Sequence, residues 1–446
     1  MKKNIDYPRE VTIKILYEIN HEGAYINIAL HQFLENKKLS ELDKSFVHQL
    51  VYGTIKNINY IDWMIAKYSK IKLKKISPWI KEILRIAIFQ IFFLQRVPDF
   101  AAVDESVQLS KKYSRGKSEK FVNAVLRNVL RDKESIEKQC FNSNELLTIK
   151  YSCPQWLVQY LMGQYSYEKV RLFLEKSMET APVTIRLNTL KCTKEQLKSR
   201  LHQEGIQYQD GKLCSEALRI SDFSDITGYS AYQEGLFTIQ DEAAIMVVDI
   251  LHPEPGDNIL DMCSAPGGKT THIGEKLKGQ PGLVSRDIYD HKIKLIQNNC
   301  DRLGLFSIQM EMKNGLVFYE EDKEKYDKIL LDAPCSGLGI LRRKPDIKIK
   351  LKKDHIEDMI KIQKKLIKNA YAYLKTNGIL VYSTCTINMK ENEEIIEYLL
   401  SQYPQAKVIP PAMDDKNLIY KDKYIQTFPD TGGADGFFIC KIQKWS

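Results

Sequence analysis

Apolar residues in the first third of the chain recur every three or four positions, the spacing of one face of an α-helix. Ser40 before Glu41, and Ser77 before Pro78, are typical helix starts. We therefore expect an all-α bundle without strands over residues 1–140. The stretches that carry this pattern are 11–16, 46–55, 61–68, 80–94 and 121–130.

The pattern changes twice further along the chain. Residues 141–237 combine a helix that opens at Pro154 with strand-like alternation at Val183–Leu187, which predicts linker helices and a small α+β domain. Over 238–446 short apolar strands alternate with helices, which is typical of an α/β Rossmann-like domain with a mostly parallel sheet. Its strand candidates are 258–262, 282–285, 328–331 and 378–382, and its helix candidates include 291–303 and 354–374.

Composition excludes several classes of protein. Of the 446 residues 43% are apolar and 28% are charged, values of ordinary globular proteins that argue against bulk disorder. The most apolar stretch, 83–94, is too short to span a bilayer, and no signal peptide is recognisable at the N-terminus. Nine cysteines without C-x-x-C spacing indicate free thiols in a reducing, cytoplasmic compartment and no zinc site.

The net charge of +9 belongs entirely to the first third of the chain. Residues 1–140 contain 25 Lys and Arg against 16 Asp and Glu, whereas 141–446 contain 41 of each. A basic domain beside a neutral one suggests a polyanionic partner such as nucleic acid. A solvated lysine-rich surface is the alternative explanation.

A strand, a glycine turn and a helix start follow one another near residue 260. Two glycines allow a ligand to approach the backbone, and the next helix presents free N–H groups. Cys263 stands where a P-loop needs glycine, so the P-loop pattern fails. Asp287 ends the next strand and suits ribose hydroxyls, so a nucleoside cofactor such as S-adenosylmethionine fits better than a dinucleotide; a generic Rossmann turn remains the alternative. The predicted cofactor turn consists of Cys263, Ser264, Ala265, Pro266, Gly267, Gly268 and Lys269.

Two cysteines follow two apolar strands of the predicted sheet. Cys335 comes after Asp332-Ala333-Pro334, and Cys385 comes after Ser383-Thr384. Strands that are neighbours in a doubly wound sheet bring both sulfurs to one edge, next to Asp332. A free cysteine is most often a small buried hydrophobe, but this position at the ligand-binding edge favours a nucleophile. Beside a methyl donor, a thiolate that adds to C6 of a pyrimidine activates C5 for methylation.

Together these motifs resemble the RNA (cytosine-5) methyltransferases that have two active-site cysteines. Segments near the N-terminus, including 50–54 and 121–127, resemble the NusB-like RNA-binding domain. The fusion of both is the arrangement of the ribosomal RNA small subunit methyltransferase B (Sun/Fmu) family, and the resemblance covers nearly the whole chain. It is also carried by Arg186–Leu190, Gln240–Glu242, Arg342–Asp346, Glu391–Glu394 and Asp435–Phe438.

The resemblance implies methyl transfer from S-adenosyl-L-methionine to C5 of one 16S rRNA cytosine, cytosine 967, through a covalent bond between cysteine and C6. It implies that Cys385 attacks C6 and that Cys335 is needed for release of the methylated product. Asp332 is implied to lie beside N3 and the methionine end of the cofactor.

Cofactor binding is implied for the 263–269 turn, for Asp287 and for Asn314, which stands where the family usually has Asp. The implied partner is 16S rRNA or a small-subunit assembly intermediate, with no membrane and no metal, and we expect a monomer.

Three alternatives remain open at the level of sequence. The first is that the target is another rRNA or tRNA cytosine. The second is that the protein is an RNA-binding assembly factor with impaired catalysis. A DNA methyltransferase is less favoured, because those enzymes use only the cysteine of the Pro-Cys motif and the NusB-like domain points to RNA. Their use of that cysteine also leaves the reverse assignment of Cys335 and Cys385 open.

Overall fold

A computed structural model describes residues 6–35, 39–223, 225–410, 419–421, 423–430 and 432–446. The chain divides into two compact units, Met1–Glu179 with Leu341–Lys350, and Thr180–Ile340 with Leu351–Ser446. The predicted three-part division at 1–140, 141–237 and 238–446 stays a prediction. Over the described residues, the structure contains no helix with the length and apolarity that crossing a bilayer requires.

All regular elements in the described residues of the first unit are helices, as the apolar spacing predicts. Ser40 caps its helix, since its hydroxyl accepts the N–H of Asp43 while its own N–H donates to the Asp43 carboxylate. Pro78 occupies the first turn of another helix, where its missing N–H costs nothing. The helices are α1 (Tyr7–His21), α2 (Ile26–Leu34), α3 (Glu41–Lys56), α4 (Ile58–Tyr68), α5 (Pro78–Phe93), α6 (Asp99–Ser114), α7 (Glu119–Arg131), α8 (Lys133–Glu137), α9 (Ser143–Glu145), α10 (Gln155–Met162), α11 (Tyr167–Ser177) and the short α17 (Ile347–Lys350).

The apolar stretch at 83–94 is the buried centre of this bundle. Residues 82–91 of α5 are buried, including three polar side chains, Glu82, Arg85 and Gln90. Arg85 is paired with Asp62 at 2.6 Å and with Glu82 at 2.7 Å, which explains how a buried guanidinium is tolerated. The stretch is therefore a core helix, as its length predicts.

The second unit begins with a small antiparallel sheet. Its strands are β1 (Val183–Leu187), β2 (Gln207–Asp210), β3 (Ala217–Ser221) and β4 (Phe237–Ile239), in the spatial order β2-β3-β1-β4. Two helices, α12 (Lys194–Gln203) and α13 (Ser230–Gln233), accompany the sheet. Apolar residues of the sheet and α12 form one core, so the predicted α+β arrangement is confirmed.

A second, larger sheet carries the functional site. Five neighbouring strands run parallel, in the order β9-β8-β5-β6-β7, as the alternation of strands and helices predicts. Four further strands, β10 to β13, extend the sheet antiparallel beyond β9 and were not predicted. The strands are β5 (Ile259–Asp261), β6 (Leu283–Asp287), β7 (Gln309–Met312), β8 (Tyr326–Asp332), β9 (Leu374–Thr384), β10 (Ala406–Ile409), β11 (Ile419–Lys421), β12 (Tyr424–Gln426) and β13 (Phe438–Lys444).

Helices cover this sheet, and its parallel strands point their carboxyl ends to one edge. The predicted glycine turn follows β5, whereas Cys335 and Cys385 follow β8 and β9. Neighbouring parallel strands place these loops side by side. The helices are α14 (Glu242–Leu251), α15 (Gly268–Lys276), α16 (Asp290–Leu303), α18 (Lys353–Tyr373) and α19 (Glu393–Gln402).

Candidate active site

The turn between β5 and α15 is held in one shape by its neighbours. Gly267 has φ +98°, and a Cβ there would lie 3.2 Å from the Cα of Ile296, so any side chain would be strained and crowded. Both the N–H and the hydroxyl of Ser264 donate to the carbonyl of Arg286, at 2.9 and 2.7 Å. The turn is thereby fixed against β6 before any ligand binds.

A cavity of about 190 Å³ opens above this turn. One of its walls is Asp261, which is fully buried and whose Oδ1 has no hydrogen-bond partner among the described residues. Burial, which outweighs a 2.6 Å hydrogen bond from Thr270, raises the pKa of Asp261 to about 7. The lining residues are Ile239, Gln240, Ala244, Asp261, Cys263, Ser264, Ala265, Pro266, Gly268, Lys269 and Asp332.

Asp287 lies against the turn from the end of β6. One carboxylate oxygen accepts the N–H of Ala265 at 3.2 Å, and the other accepts the N–H of Ile288 at 2.8 Å. Each oxygen can accept one more donor, and at Oδ1 the ammonium group of Lys292, 3.5 Å away, competes for that place. Asn314 is different, because its side-chain oxygen already accepts the N–H of Leu316 at 3.0 Å, within its own loop.

The two thiols at the strand ends are in contact. Cys335 Sγ and Cys385 Sγ lie 3.4 Å apart, and both side chains are partly buried. Their hydrogen bond, together with burial, raises the pKa of the Cys335 thiol well above its usual value. Cys335 therefore keeps its proton at neutral pH, and its S–H group is within hydrogen-bond distance of Cys385 Sγ.

Asp332 lines the cavity and lies at the end of β8, shortly before Cys335. Its Oδ2 accepts from the ammonium group of Lys269 at 2.8 Å, and its Oδ1 accepts from the hydroxyl of Ser383 at 2.7 Å. The carboxyl group thus has a cation and a hydroxyl as fixed neighbours, one from α15 and one from β9.

The structure gives a place at the site to residues for which sequence analysis predicted no role there. The sequence pattern assigns Asp261 only to a predicted strand. Its position at the end of that strand is the signal that could have identified it as a site residue. Gln240 lines the cavity and accepts from the buried guanidinium of Arg186, which also donates to the carbonyl of Gly268 at 2.8 Å and pairs with Glu275 at 2.7 Å. The Arg186 side chain therefore orients both the wall of the cavity and the first turn of α15.

A cluster of titratable groups lies apart from this site. Ligand atoms of Glu216, Asp249 and His272 lie within 4.8 Å of one another. The ammonium of Lys276 lies 2.7 Å from Glu216 and 3.0 Å from Asp249, so the chain itself compensates one of the two negative charges of the cluster. Burial lowers the pKa of His272 to about 3, which leaves the ring neutral.

Three families match consecutive parts of the chain. Residues 7–131 match the NusB family, and residues 153–227 match the ferredoxin-like domain of RsmF/B-like methyltransferases. Residues 248–443, which contain most of the cavity lining and both thiols, match the family described as 16S rRNA methyltransferase RsmB/F.

Curated relatives match over their full length. The "Probable ribosomal RNA small subunit methyltransferase B" of Bacillus subtilis is 33% identical over 446 residues, covering 98% of each chain. The "Ribosomal RNA small subunit methyltransferase B" of Klebsiella pneumoniae is 28% identical and covers 100% of this chain and 99% of its own.

Solved structures agree on the fold. The crystal structure of PH0851 covers 100% of both chains with a TM-score of 0.81 at 23% identity. A methyltransferase homologue from Pyrococcus horikoshii covers 68% of this chain and 100% of its own, with a TM-score of 0.60 at 26% identity. From the full-length sequence matches, the order of the three domains and the site at the end of β5, the chain belongs to the ribosomal RNA small subunit methyltransferase B family.

Proposed function

We propose that this protein transfers a methyl group from S-adenosyl-L-methionine to C5 of a cytosine in 16S rRNA, cytosine 967 by family resemblance. The observation that carries the proposal is the contact between two thiols, Cys335 and Cys385, in loops that follow the ends of β8 and β9, where Asp332 also lines the cavity above the glycine turn. One thiol is enough for nucleophilic addition, so a second thiol in contact with it indicates a second chemical step.

The residues around the cavity fit the proposed cofactor. The glycine turn leaves the backbone open to a ligand, and the remaining lone pairs of Asp287 suit two ribose hydroxyls. The buried and unpartnered oxygen of Asp261 suits a cationic ligand, since a positive charge there would compensate its carboxylate. When bound, the cofactor supplies an electrophilic methyl group on a sulfonium. Asn314 adds little in this structure, because its oxygen is engaged with Leu316.

The chain's own groups account for the remaining steps. Cys385 as thiolate adds to C6 of the cytosine, which makes C5 nucleophilic. The ion pair of Lys269 and Asp332, which Ser383 also holds, supplies a proton beside N3, where negative charge develops during the addition. After methylation a base removes the C5 proton, and the bond between Cys385 and C6 breaks. Cys335, which lies next to Cys385 Sγ, serves this release step.

Methyl transfer with a defined RNA tests the proposal. The purified protein, S-adenosylmethionine and 16S rRNA from a strain that lacks the modification are incubated, and 5-methylcytosine is mapped by bisulfite sequencing. We expect one methylated cytosine, at position 967. Methylation of another cytosine would correct the position alone, whereas cofactor binding without methylation of any cytosine would support a role in assembly without catalysis.

A further inference from the structure

We infer that Glu391 is a positioning residue that holds the two thiol-bearing loops together. Its side chain is fully buried, and its oxygens accept hydrogen bonds from the loops that follow the two cysteines, from Ser336 after Cys335 and from Asn388 after Cys385. The inference deepens the proposed function and rests on it for the roles of the thiols. It concerns a group that touches neither RNA nor cofactor in the proposed mechanism.

The first set of contacts fixes the loop after β8. Glu391 Oε1 accepts the N–H of Ser336 at 2.8 Å, and Oε2 accepts the hydroxyl of the same residue. Gln363 donates both to Glu391 Oε1 at 3.1 Å and to the carbonyl of Pro334 at 2.8 Å. Cys335 lies between Pro334 and Ser336, so the backbone on both sides of its sulfur is attached to this carboxylate.

The second set fixes the loop after β9. Thr386, which follows Cys385, lies 3.5 Å from Glu391 Oε2 and 2.8 Å from the hydroxyl of Ser336. Asn388 donates to Glu391 Oε2 at 2.8 Å. One buried carboxylate therefore joins two loops that are 50 residues apart in the chain, and the separation of the sulfurs depends on it.

Glutamine at position 391 has the same shape as Glu391, but one of its two terminal groups is a donor instead of an acceptor. The carboxylate accepts at both ends, whereas an amide NH₂ group donates and would face a donor of one loop. In Glu391→Gln we therefore expect the loops to move apart. Loss of hydrogen bonds to a charged group of this kind changes the equilibrium between joined and separated loops by about tenfold or more.

The rate of disulfide formation between the sulfurs reports their separation without any methyl transfer. Diamide takes up the two hydrogen atoms that Cys335 and Cys385 lose, becoming a hydrazine, and the disulfide is located by differential alkylation and peptide mass spectrometry. We expect Glu391→Gln to slow this reaction by about tenfold or more. In methyl transfer we expect a similar fall in kcat and an unchanged KM for the cofactor.

Glu82→Gln is the matched control. Glu82 is also fully buried and accepts from Asn20, His21 and Arg85, but it lies in the helical bundle. The Glu82→Gln substitution should lower the melting temperature and leave the rate of disulfide formation unchanged. If Glu391→Gln does not fold, Ser336→Ala decides, since it removes one donor to Glu391 and should slow disulfide formation by about fivefold.

The inference is overturned if the folded Glu391→Gln protein, or Ser336→Ala in its place, forms the disulfide at the wild-type rate. Failure of the proposed function looks different: the wild-type protein would then transfer no methyl group to RNA, while its disulfide rate would still report on Glu391.

Discussion

The ammonium group of Lys269 lies 2.8 Å from Oδ2 of Asp332, and this ion pair joins the first turn of α15 to the end of β8. Lys269 belongs to the proposed cofactor turn, whereas Asp332 lies on the side of the two thiols. The pair is largely shielded from solvent, so its strength depends less on salt than that of a surface pair.

The Lys269–Asp332 pair should act as one unit in catalysis. We expect Lys269→Met and Asp332→Asn each to lower kcat/KM, and the double variant to lose less than the sum of both losses. A coupling of at least about 1 kcal/mol is expected for interacting side chains of this kind. The exposed pair Lys361–Asp358 is the control and should show coupling near zero. Additive losses at Lys269 and Asp332 would show that the two groups act separately.

Asp287 should contribute to cofactor affinity. Asp287→Ala removes the acceptors for ribose and two hydrogen bonds that support the turn. At about 1.5–3 kcal/mol for hydrogen bonds to a charged group, the affinity for S-adenosylmethionine measured by calorimetry should fall by more than about tenfold. Asn314→Asp should leave affinity similar or tighter. Unchanged affinity in Asp287→Ala would remove Asp287 from the site.

The stability of the cofactor-free protein should depend on pH through the titration of Asp261. Its pKa is about 4 in the unfolded chain and about 7 in the folded protein, so the folded protein holds the proton of Asp261 more tightly. The contribution of this proton to the free energy of unfolding is fully present below about pH 4 and is lost as the pH rises through 7. Asp261→Asn does not titrate. Its melting temperature, relative to wild type, should therefore rise between about pH 5 and pH 8. A difference that is constant over this range would contradict the raised pKa.

The basic loop between α6 and α7 should bind RNA phosphates. Arg115 and Lys117 are exposed in this loop, and Lys111 is exposed in the last turn of α6; we expect replacement of all three by alanine to weaken binding to 16S rRNA. The slope of log K against log salt should fall by about 0.7–0.9 for each phosphate that the protein no longer neutralises. The control replaces Lys294, Lys361 and Lys407 in the second unit. Equal effects of both triple variants would assign the salt dependence to net charge alone.

Much of this site follows from local sequence patterns, and the reasons are physical. Cys335 and Cys385 each follow an apolar strand, and parallel neighbours bring such ends together, so their contact is predictable in outline. The role of Glu391 is not, because its partner Ser336 is 55 residues away and no periodicity marks that contact. The antiparallel strands β10 to β13 are mostly short and have weak alternation, so only the structure reveals them.

The central claim is that the two thiols perform different steps, and trapping of the covalent complex tests it. Cys335→Ala retains the nucleophile Cys385 but lacks the group next to it that serves release. With RNA and S-adenosylmethionine it should accumulate a protein–RNA complex that survives denaturing electrophoresis, and digestion should place the methylated cytosine on Cys385. Cys385→Ala should neither methylate RNA nor form a complex.

The measurement is therefore the amount of this complex in the two variants, side by side with wild type. The account predicts a stable complex in Cys335→Ala and none in Cys385→Ala. A complex in Cys385→Ala and none in Cys335→Ala would reverse the assignment of the two thiols. The absence of a complex in both would contradict a release role for Cys335, and would leave packing against Cys385 as its contribution.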